Sequence, residues 1–587
     1  MVRARCLLLC ICTALSAAGC GSSAGSGTKP HIDPMAVGVC NPGRALFGDS
    51  PSLGLGTSYY VSPSGDDSNS GTSESTAWKT LRMFSAITLA PGDNLLLEGG
   101  QTFDGTIRPL TPAAMAGAPA ISITSYGAGR ATINEGRSAA ISILSASNVQ
   151  IWNLELRGGW DAVEQDGNTS AGLNLSNATR STQLERIVID RVESSGFRDA
   201  GIRLTGSTSK VGKFGFTDVT ISNSCVHDNG QAGIEVGGSF DMNSKTYSHR
   251  NVTVRGCEVF QNRGLYDANG HTGNGILLED VDGALVELNV SHANGDLNTN
   301  KGGGPVGIWA WDSNAVTIQL NESYGNRSQT GDGGGFDLDG GMTNSVAQYN
   351  YSHDNDGPGY LIAQFPYARP MGNNVIRYNI SQNDCRNHCG ALTVWNGDPP
   401  DKVTGTLVYN NTFYATRSSD GEANYAVWFI EDKPAPNTKL YNNLFVTSGP
   451  AVVVSTPFEE PGIEVLSNNY WSVGAPANSP TLISWEGKTF RDLSSFRAAT
   501  GQEQRAGGDV GMNGDPALVN MGGGPTLGDA SLLSSVGQYQ LTPASSLVDS
   551  ALDLKVEFAI DPGAHDYYGT PIFSGAAPDI GACELKK

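Results

Sequence analysis

One five-residue pattern recurs along the middle of this chain: Glu287-Leu-Asn-Val-Ser291, Gln319-Leu-Asn-Glu-Ser323, Gln348-Tyr-Asn-Tyr-Ser352 and Arg377-Tyr-Asn-Ile-Ser381. Its Asn returns in Tyr409-Asn-Asn411, Tyr441-Asn-Asn443 and Ser467-Asn-Asn469, at successive spacings of 32, 29, 29, 32, 32 and 26 residues. Short segments of the form Gly-apolar-x-apolar, such as Gly275-Ile-Leu-Leu278, follow polar turns at the same period. This period, with short strands and almost no helical periodicity, is typical of a stacked solenoid.

The repeat also predicts how the coils are held together. A single repeat cannot bury its own apolar face, so successive coils share one core. Stacking puts equivalent residues about 4.8 Å apart, which allows the recurring Asn to form a ladder at a bend. We therefore predict an all-β, single-stranded right-handed parallel β-helix of roughly 11–13 coils. We expect it to occupy residues 57–474, with an irregular C-terminal cap at 475–587.

Charge limits the classes of partner. The 587-residue chain has a formal net charge of −21. Nucleic-acid binding needs a basic surface, so we expect no nucleic-acid partner. An anionic substrate is also disfavoured unless a cation or a local basic patch intervenes. We expect a monomer.

The N-terminus has the features of an export signal. Arg3 and Arg5 precede a short apolar run that ends in Ala17-Ala-Gly-Cys20. This ending resembles a bacterial lipobox, which makes Cys20 the expected lipidation site; ordinary signal cleavage is the alternative. We expect a signal peptide at 1–19, a Gly/Ser-rich tether at 20–56, and a membrane anchor at Cys20 that holds the protein in the bacterial cell envelope, facing the periplasm or the exterior.

Six cysteines follow Cys20, and outside the cytoplasm an even number permits disulfides. Cys385 and Cys389 can close a small loop. Cys40 with Cys583 would tie the two ends of the chain together, and Cys225 lies one repeat before Cys257. The sequence leaves the pairing open.

Strand alternation predicts two outward columns on one sheet. With the isoleucines of each Gly-apolar segment facing inward, the first column contains Arg203, Glu235, Leu277, Trp309, Asp337 and Leu361. The second, two residues on, contains Thr205, Gly237, Glu279, Trp311, Asp339 and Ala363, with Trp395 and Trp428 near the same face. Trp309, Trp311, Trp395 and Trp428 are candidate substrate-binding residues, because indole rings stack on the faces of pyranoses.

The segment from Asp332 to Asp339 is the densest in acids. Asp337 and Asp339 project from one face within about 7 Å, and Glu279 lies two coils away, at roughly 9–10 Å. Paired carboxylates can act as acid and base or nucleophile in glycoside hydrolysis. Asp332, Asp337 and Asp339 together could instead hold calcium, whereas Asp332 alone could be a turn residue.

Several segments resemble secreted β-helix proteins of the pectate-lyase-like superfamily. They include Tyr59-Tyr-Val-Ser-Pro-Ser-Gly, Trp78-Lys-Thr-Leu81, Tyr126-Gly-Ala-Gly129, the coils at 187–470 and Asp579-Ile-Gly-Ala-Cys-Glu584. The resemblance implies β-elimination with an Arg or Lys base and calcium held by acids. Lys301 and Arg369 are then candidate bases, and His271 is a candidate acid or base. The Arg-x-Pro-x-x-Arg pattern of the best-known pectate lyases is absent, because no second Arg follows Arg369-Pro370.

Three functions remain open at this point. The lead prediction is a surface-anchored, calcium-assisted polysaccharide lyase. The first alternative is a glycoside hydrolase that uses Asp337, Asp339 and Glu279, and the second is a non-catalytic glycan-binding or structural lipoprotein. Uronate epimerisation shares the proton-abstraction step of the lyase.

Overall fold

The computed structural model describes Cys40 and residues 46–110, 117–266, 268–301, 303–387, 389–399, 402–419, 421, 424–430, 433–448, 452–456, 462–474 and 482–586. The signal peptide and the lipidation site Cys20 lie outside these residues, so both stay predictions. Within these ranges no helix has the length and apolar character needed to cross a membrane.

The predicted fold is confirmed: the chain forms a right-handed parallel β-helix of about 12 turns, with little helix. Three parallel sheets run along it, and each full coil passes through the first, second and third sheet in turn. The first sheet contains the strands Ile141–Leu144, Leu173–Ser176, Ala200–Thr205, Ala232–Gly237, Asn274–Glu279, Val306–Trp311, Gly334–Leu338, Tyr360–Gln364, Gly390–Asn396, Tyr425–Phe429, Val452–Thr456 and Leu482–Trp485, followed by antiparallel Lys488–Phe490.

The other two sheets share two long strands that bend from one sheet into the next, Val149–Gly158 and Leu184–Ser195. The second sheet also contains Ser58–Val61, Asn94–Glu98, Ile121–Tyr126, Phe216–Ser222, His249–Arg255, Val281–Glu287, Asn314–Gln319, Val346–Gln348, Asn374–Arg377, Thr406–Tyr409, Lys439–Tyr441 and Glu464–Leu466. The third also contains Thr102–Asp104, Ala131–Glu135, Cys225–His227, Glu258–Phe260, Val290–His292, Glu322–Tyr324, Tyr351–His353, Ile380–Gln382, Thr412–Ala415, Leu444–Ser448 and Asn469–Val473.

Short elements complete the described chain. Two small hairpins pair Ser207–Ser209 with Gly212–Phe214 and Gln504–Arg505 with Gly508–Asp509. The α-helices are Leu493–Thr500 and Leu554–Phe558, and the 3₁₀ helices are Glu74–Thr76, Leu81–Ala86, Ala530–Ser535 and Gly537–Tyr539.

The interior is filled by the inward side chains of the coils, as the repeat predicts. Ile276, Ile308, Phe336 and Tyr360 occupy successive positions of one inward column and are at most 1% exposed. The Phe336 and Tyr360 rings stack at 5.3 Å. Burial of this continuous apolar column is the main favourable contribution to folding.

The predicted Asn ladder is confirmed at the corner between the second and third sheets. Asn321 Nδ2 donates to Asn350 Oδ1 at 3.0 Å, and the same bond joins the buried side chains of successive coils from Asn289 onward. The last rung differs from the prediction. It is Asn468, not Asn469, and its Nδ2 donates to Glu503 Oε1 at 2.9 Å, which ends the ladder.

Both ends of the described chain pack along the outside of the solenoid. Phe47 N donates to Asn223 Oδ1, and Gly54 N to Asn94 Oδ1, at 2.8 Å each, so the described part of the predicted tether lies against the coils. Residues 482–509 follow the last coil. The chain then turns back, and Leu527 N and Gly528 N donate to the buried Glu322 carboxylate at 2.7 Å each.

The disulfides confirm the small loop between Cys385 and Cys389 and contradict the pairing of Cys40 with Cys583. Cys385 bonds to Cys389, but Cys40 bonds to Cys225. Cys225 pairs in register with Glu258, so Cys257, one residue earlier, points away from it. Cys257 and Cys583 are buried and take part in no disulfide among the described residues.

A candidate active-site cleft on the first sheet

The outward columns align as the sequence predicts. The register places Arg203 beside Glu235, Glu235 beside Leu277, Leu277 beside Trp309, and Trp309 beside Asp337. In the second column, Glu279 pairs with Trp311, and Ala363 with Trp395. Trp428 pairs with Thr393 and so extends the first column.

A cleft of about 800 Å³ lies over these columns. It extends from the strand Ala232–Gly237 to the strand Tyr425–Phe429, with Gly334–Leu338 in the middle. Its walls contain the sequence-predicted residues Glu279, His271, Lys301, Asp332, Asp337, Asp339, Trp309, Trp311, Trp395 and Trp428. A single concave site therefore brings together every predicted site residue that the structure describes except Arg369.

Asp337 is the most buried carboxyl in the middle of the cleft. It is 4% exposed, and its Oδ1 is buried without a hydrogen-bond partner among the described residues. Burial raises its pKa well above the ordinary value, and the nearby charges of Asp339 and Asp332 raise it further. A carboxyl in this setting holds its proton to a higher pH than an ordinary aspartate does.

Asp339 lies two residues on, on the same side of the chain, and is 7% exposed. Gly340 N donates to its Oδ1 at 2.6 Å. Burial raises the pKa of Asp339 to about 6, while His271 and the Gly340 N–H oppose the rise. Burial thus raises the pKa of both neighbouring carboxyls, and at Asp339 the imidazole of His271 and the Gly340 N–H oppose the rise.

One residue, Gly304, connects His271 with Asp332 at the rim of the cleft. The imidazole Nδ1 lies 2.9 Å from the Gly304 carbonyl oxygen, so Nδ1 carries a proton and donates. Gly304 N donates to Asp332 Oδ2 at 2.7 Å. The imidazole packs against Trp309 at 5.2 Å, and the Trp309 Nε1–H donates to Asn274 Oδ1 at 3.0 Å. The imidazole of His271 is thus held by the Gly304 carbonyl and by the Trp309 ring, and each of these is itself fixed by a hydrogen bond.

Gly303 makes room for that imidazole. Its φ is +149°, and a Cβ at this position would overlap the His271 ring. We expect Gly303→Ala to displace His271 and to lower kcat/KM about 10-fold or more, because small misplacements of catalytic groups are costly. Steady-state kinetics checks this, with Gly127→Ala as the control, since Gly127 also has a positive φ but no atom within 4 Å of a new Cβ. An effect equal to that of the control would contradict the role of Gly303.

A second pair of acids lies further along the cleft. Glu235 Oε1 and Glu279 Oε2 lie 3.3 and 3.4 Å from the position of a Cβ on Gly237. Arg203 binds Glu235 at 3.1 Å. Burial raises the pKa of Glu279 to about 8, and the charge of Glu235 adds to the rise. Glu279 is therefore a neutral hydrogen-bond donor at pH 7.

The four predicted tryptophans differ in what they offer a ligand. Trp309 lines the cleft but is only 3% exposed, so its ring offers little surface to a ligand; the ring packs against His271. Trp311, Trp395 and Trp428 are half-buried and line the cleft. Trp428 also stacks on Tyr425 at 5.7 Å.

The candidate bases of a lyase are less well placed. Arg369 is 6% exposed, binds Asp312 through Nε and lies 3.7 Å from Asp280, so it is held in buried ion pairs and does not line the cleft. It belongs to a buried charge network with Lys213, which lies 2.8 Å from Asp280. Among the described residues that line the cleft, the only basic side chains are Lys301 and His271.

The predicted calcium ligands do not form a cluster of the expected kind. Across the described ranges, no group of three or more His, Cys, Asp and Glu side chains has an arrangement that could hold a metal ion. One oxygen of Asp332 accepts from Gly304 N, and one of Asp339 accepts from Gly340 N.

Sequence reasoning missed two aromatic residues of the cleft, Phe240 and Phe365. Both lie in loops that follow strands of the first sheet. Loop residues do not recur at the repeat spacing, so the repeat predicts none of their contacts. The only sequence signal was aromatic character next to a column already assigned to the cleft.

No family model matches the sequence. The chain is 28% identical over 484 residues to a lacto-N-biosidase of Bifidobacterium longum subsp. longum, which covers 67% of this chain and 29% of that protein. The chain thus spans less than a third of the length of that relative. Among solved structures it is similar to a GH136 lacto-N-biosidase from Eubacterium ramulus, with TM-score 0.41, 20% identity and coverage of 65% of this chain and 67% of the other. It is also similar to a pectate lyase, with TM-score 0.38, 16% identity and coverage of 91% and 97%.

Proposed function

We propose that this chain is a glycoside hydrolase that cleaves an oligosaccharide in the first-sheet cleft. The observation that carries the proposal is the buried pair Asp337 and Asp339. The two carboxyls share one face in the middle of the cleft, and their surroundings differ: Asp337 Oδ1 has no hydrogen-bond partner among the described residues, whereas Asp339 Oδ1 accepts from Gly340 N. Two carboxyls with separated pKa values are what acid–base cleavage of a glycosidic bond requires.

The surroundings of the two carboxyls suggest their roles. Asp337, whose pKa is raised well above its ordinary value by burial and by the neighbouring carboxylates, acts as the general acid that protonates the leaving oxygen. Asp339 is mostly ionised at pH 7 and acts as the base that activates water, or as the nucleophile. His271 supports the ionised form of Asp339 by lowering the pKa of that carboxyl.

Asp332 is the second candidate partner of Asp339. It is half-buried, whereas Asp337 is nearly covered, and its charge reaches both of the other aspartates. If Asp332 rather than Asp337 protonates the leaving group, Asp332→Asn will lose much less activity on a substrate with an acidic leaving group than on an oligosaccharide.

Sequence similarity favours hydrolysis over β-elimination. The relative that is 28% identical over 484 residues is, by its name, a lacto-N-biosidase. The lead prediction of a lyase rested on resemblance in fold, and fold alone does not fix function. The buried, paired Arg369 removes one of its two candidate bases. Glycans that end in lacto-N-biose are therefore the first substrates to test.

The two aspartates predict the shape of the pH profile. Activity should rise as the pH increases through about 6, because Asp339 must lose its proton to act as base. It should fall only at higher pH, where Asp337 loses the proton that it donates. His271→Gln should move the acidic limb to higher pH, because that variant lacks the imidazole that lowers the pKa of Asp339. An acidic limb that does not move in the variant would contradict the assigned base.

A glycan panel tests the proposal directly. The protein is incubated with lacto-N-biose-terminated oligosaccharides, neutral polysaccharides and polyuronates, with and without EDTA. New reducing ends without ultraviolet absorbance from an unsaturated uronate are expected, and EDTA should have no effect. Unsaturated products that disappear with EDTA would support the calcium-assisted lyase instead.

A further inference from the structure

Three aromatic rings from separate coils meet at one edge of the cleft. The Phe240 ring lies 5.6 Å from Trp311, the Trp311 ring 5.7 Å from Phe365, and Phe365 5.7 Å from Phe240. Phe240 belongs to the loop after Ala232–Gly237, Trp311 ends its strand, and Phe365 follows Tyr360–Gln364. We call these three residues the aromatic wall.

The wall lies beside the second outward column. Trp311 pairs in register with Glu279, and the Phe365 ring covers Gly340, the residue after Asp339. Neighbouring strands are about 4.8 Å apart, so Trp311 is one strand from Glu279 on one side and one strand from Asp339 on the other. A sugar ring stacked on Trp311 would thus lie next to Asp337 and Asp339 at one edge and next to Glu279 at the other.

Exposure shows that the wall is more than packing. The Phe240 ring is 39% exposed. Its loop position would accept a polar side chain equally well, so packing alone does not require a phenyl ring there. All three rings line the cleft. An aromatic patch at the edge of a polar cleft is a common site for the apolar face of a sugar.

We infer that the aromatic wall and Glu279 form a subsite for the pyranose on the Glu235 side of the cleaved bond. The apolar face of that sugar packs against Trp311 and Phe240, and the Glu279 carboxyl donates a hydrogen bond to one of its oxygen atoms. The inference rests on the proposed hydrolase function.

Phe240→Ala tests the wall with little risk to the fold, since the side chain lies on an exposed loop. We expect KM for the cleaved oligosaccharide to rise about 10-fold while kcat changes less than about 3-fold, because stacking is made before the transition state. Phe240→Tyr should restore KM. The matched control is Met242→Ala, which removes an apolar side chain that is 40% exposed on the same loop but does not line the cleft.

The hydrogen bond from Glu279 to the sugar is tested with variants that keep or remove a neutral donor, and with a change of pH. Glu279→Gln keeps a neutral donor and should stay within about 3-fold of the parent KM at pH 7, while Glu279→Ala should raise KM about 10-fold. In the parent protein, KM should also rise above pH 8, as Glu279 ionises and can no longer donate; Glu279→Gln should lack this rise. Unchanged KM in both Phe240→Ala and Glu279→Ala, in a protein that cleaves the glycan, would overturn the subsite alone. A parent protein without activity would overturn the proposed function first.

Discussion

Replacing Asp337 by Asn is expected to lower kcat/KM for an oligosaccharide by about 10²–10⁴-fold, the range of general acid–base catalysis. The amide keeps the shape of the side chain but has no proton to give to the leaving oxygen. The fold should tolerate the change, because Asp337 Oδ1 is buried with no partner in the described chain and the amide is neutral. The midpoint of thermal unfolding should therefore stay at or above that of the parent.

Leaving-group chemistry separates Asp337 from Asp339. A substrate with an acidic leaving group, such as a 4-nitrophenyl glycoside, needs little help from a general acid. Asp337→Asn should therefore lose much less activity on this substrate than on the oligosaccharide, whereas Asp339→Asn should lose activity on both. Equal losses on both substrates for Asp337→Asn would rule out its role as the acid. A selective loss in Asp332→Asn would transfer that role to Asp332.

Asn350→Ala is expected to lower the free energy of unfolding by about 2–4 kcal/mol. Asn350 Oδ1 accepts from Asn321 N and Asn321 Nδ2, and its Nδ2 donates to Ile318 O and Asn379 Oδ1. Truncation takes this acceptor from the buried Asn321 N–H and removes one bond from each of the other three groups, although Asn321 Nδ2 still donates to Val286 O and Asn379 Oδ1 still accepts from Asn350 N. Unfolding in guanidinium measures the loss as a change in the free energy of unfolding.

Asn134→Ala is the matched control for the ladder. Asn134 Nδ2 donates to Asp104 Oδ1 at 2.9 Å in an exposed pair, where water replaces the lost bond. Its effect should stay within about 0.5 kcal/mol. Folded Asn350→Ala should keep the parent kcat, because the ladder lies at the corner between the second and third sheets while the cleft lies on the first. Equal effects of the two substitutions would contradict the account of the ladder.

The repeat made the fold and the columns predictable, because one period determines both which side chains face inward and which coils are neighbours. Glu279, Trp311, Asp337 and Asp339 could thus be placed on one surface from their positions in the repeat. The last rung was misassigned because its repeat contains two adjacent asparagines, and the strand Asn469–Val473 begins at the second of them. Asn468 is therefore the residue left at the bend.

What the sequence could not predict lies in the loops. Arg369 is part of the loop between Tyr360–Gln364 and Asn374–Arg377, which places its guanidinium against Asp312 rather than in the cleft. Phe240 and Phe365 reach Trp311 from loops of different length. The contact between His271 and the Gly304 carbonyl depends on a turn that only glycine allows at Gly303. None of these positions follows from the period.

The origin of the oxygen in the product distinguishes hydrolysis from β-elimination. The protein is incubated with its cleaved glycan in water labelled with heavy oxygen, and the reaction is stopped early for mass spectrometry. Hydrolysis by the Asp337 and Asp339 pair predicts one labelled oxygen at the new reducing end, and its loss in Asp337→Asn and Asp339→Asn. Cleavage without label, together with an unsaturated sugar in the product, would mean β-elimination and would contradict the account.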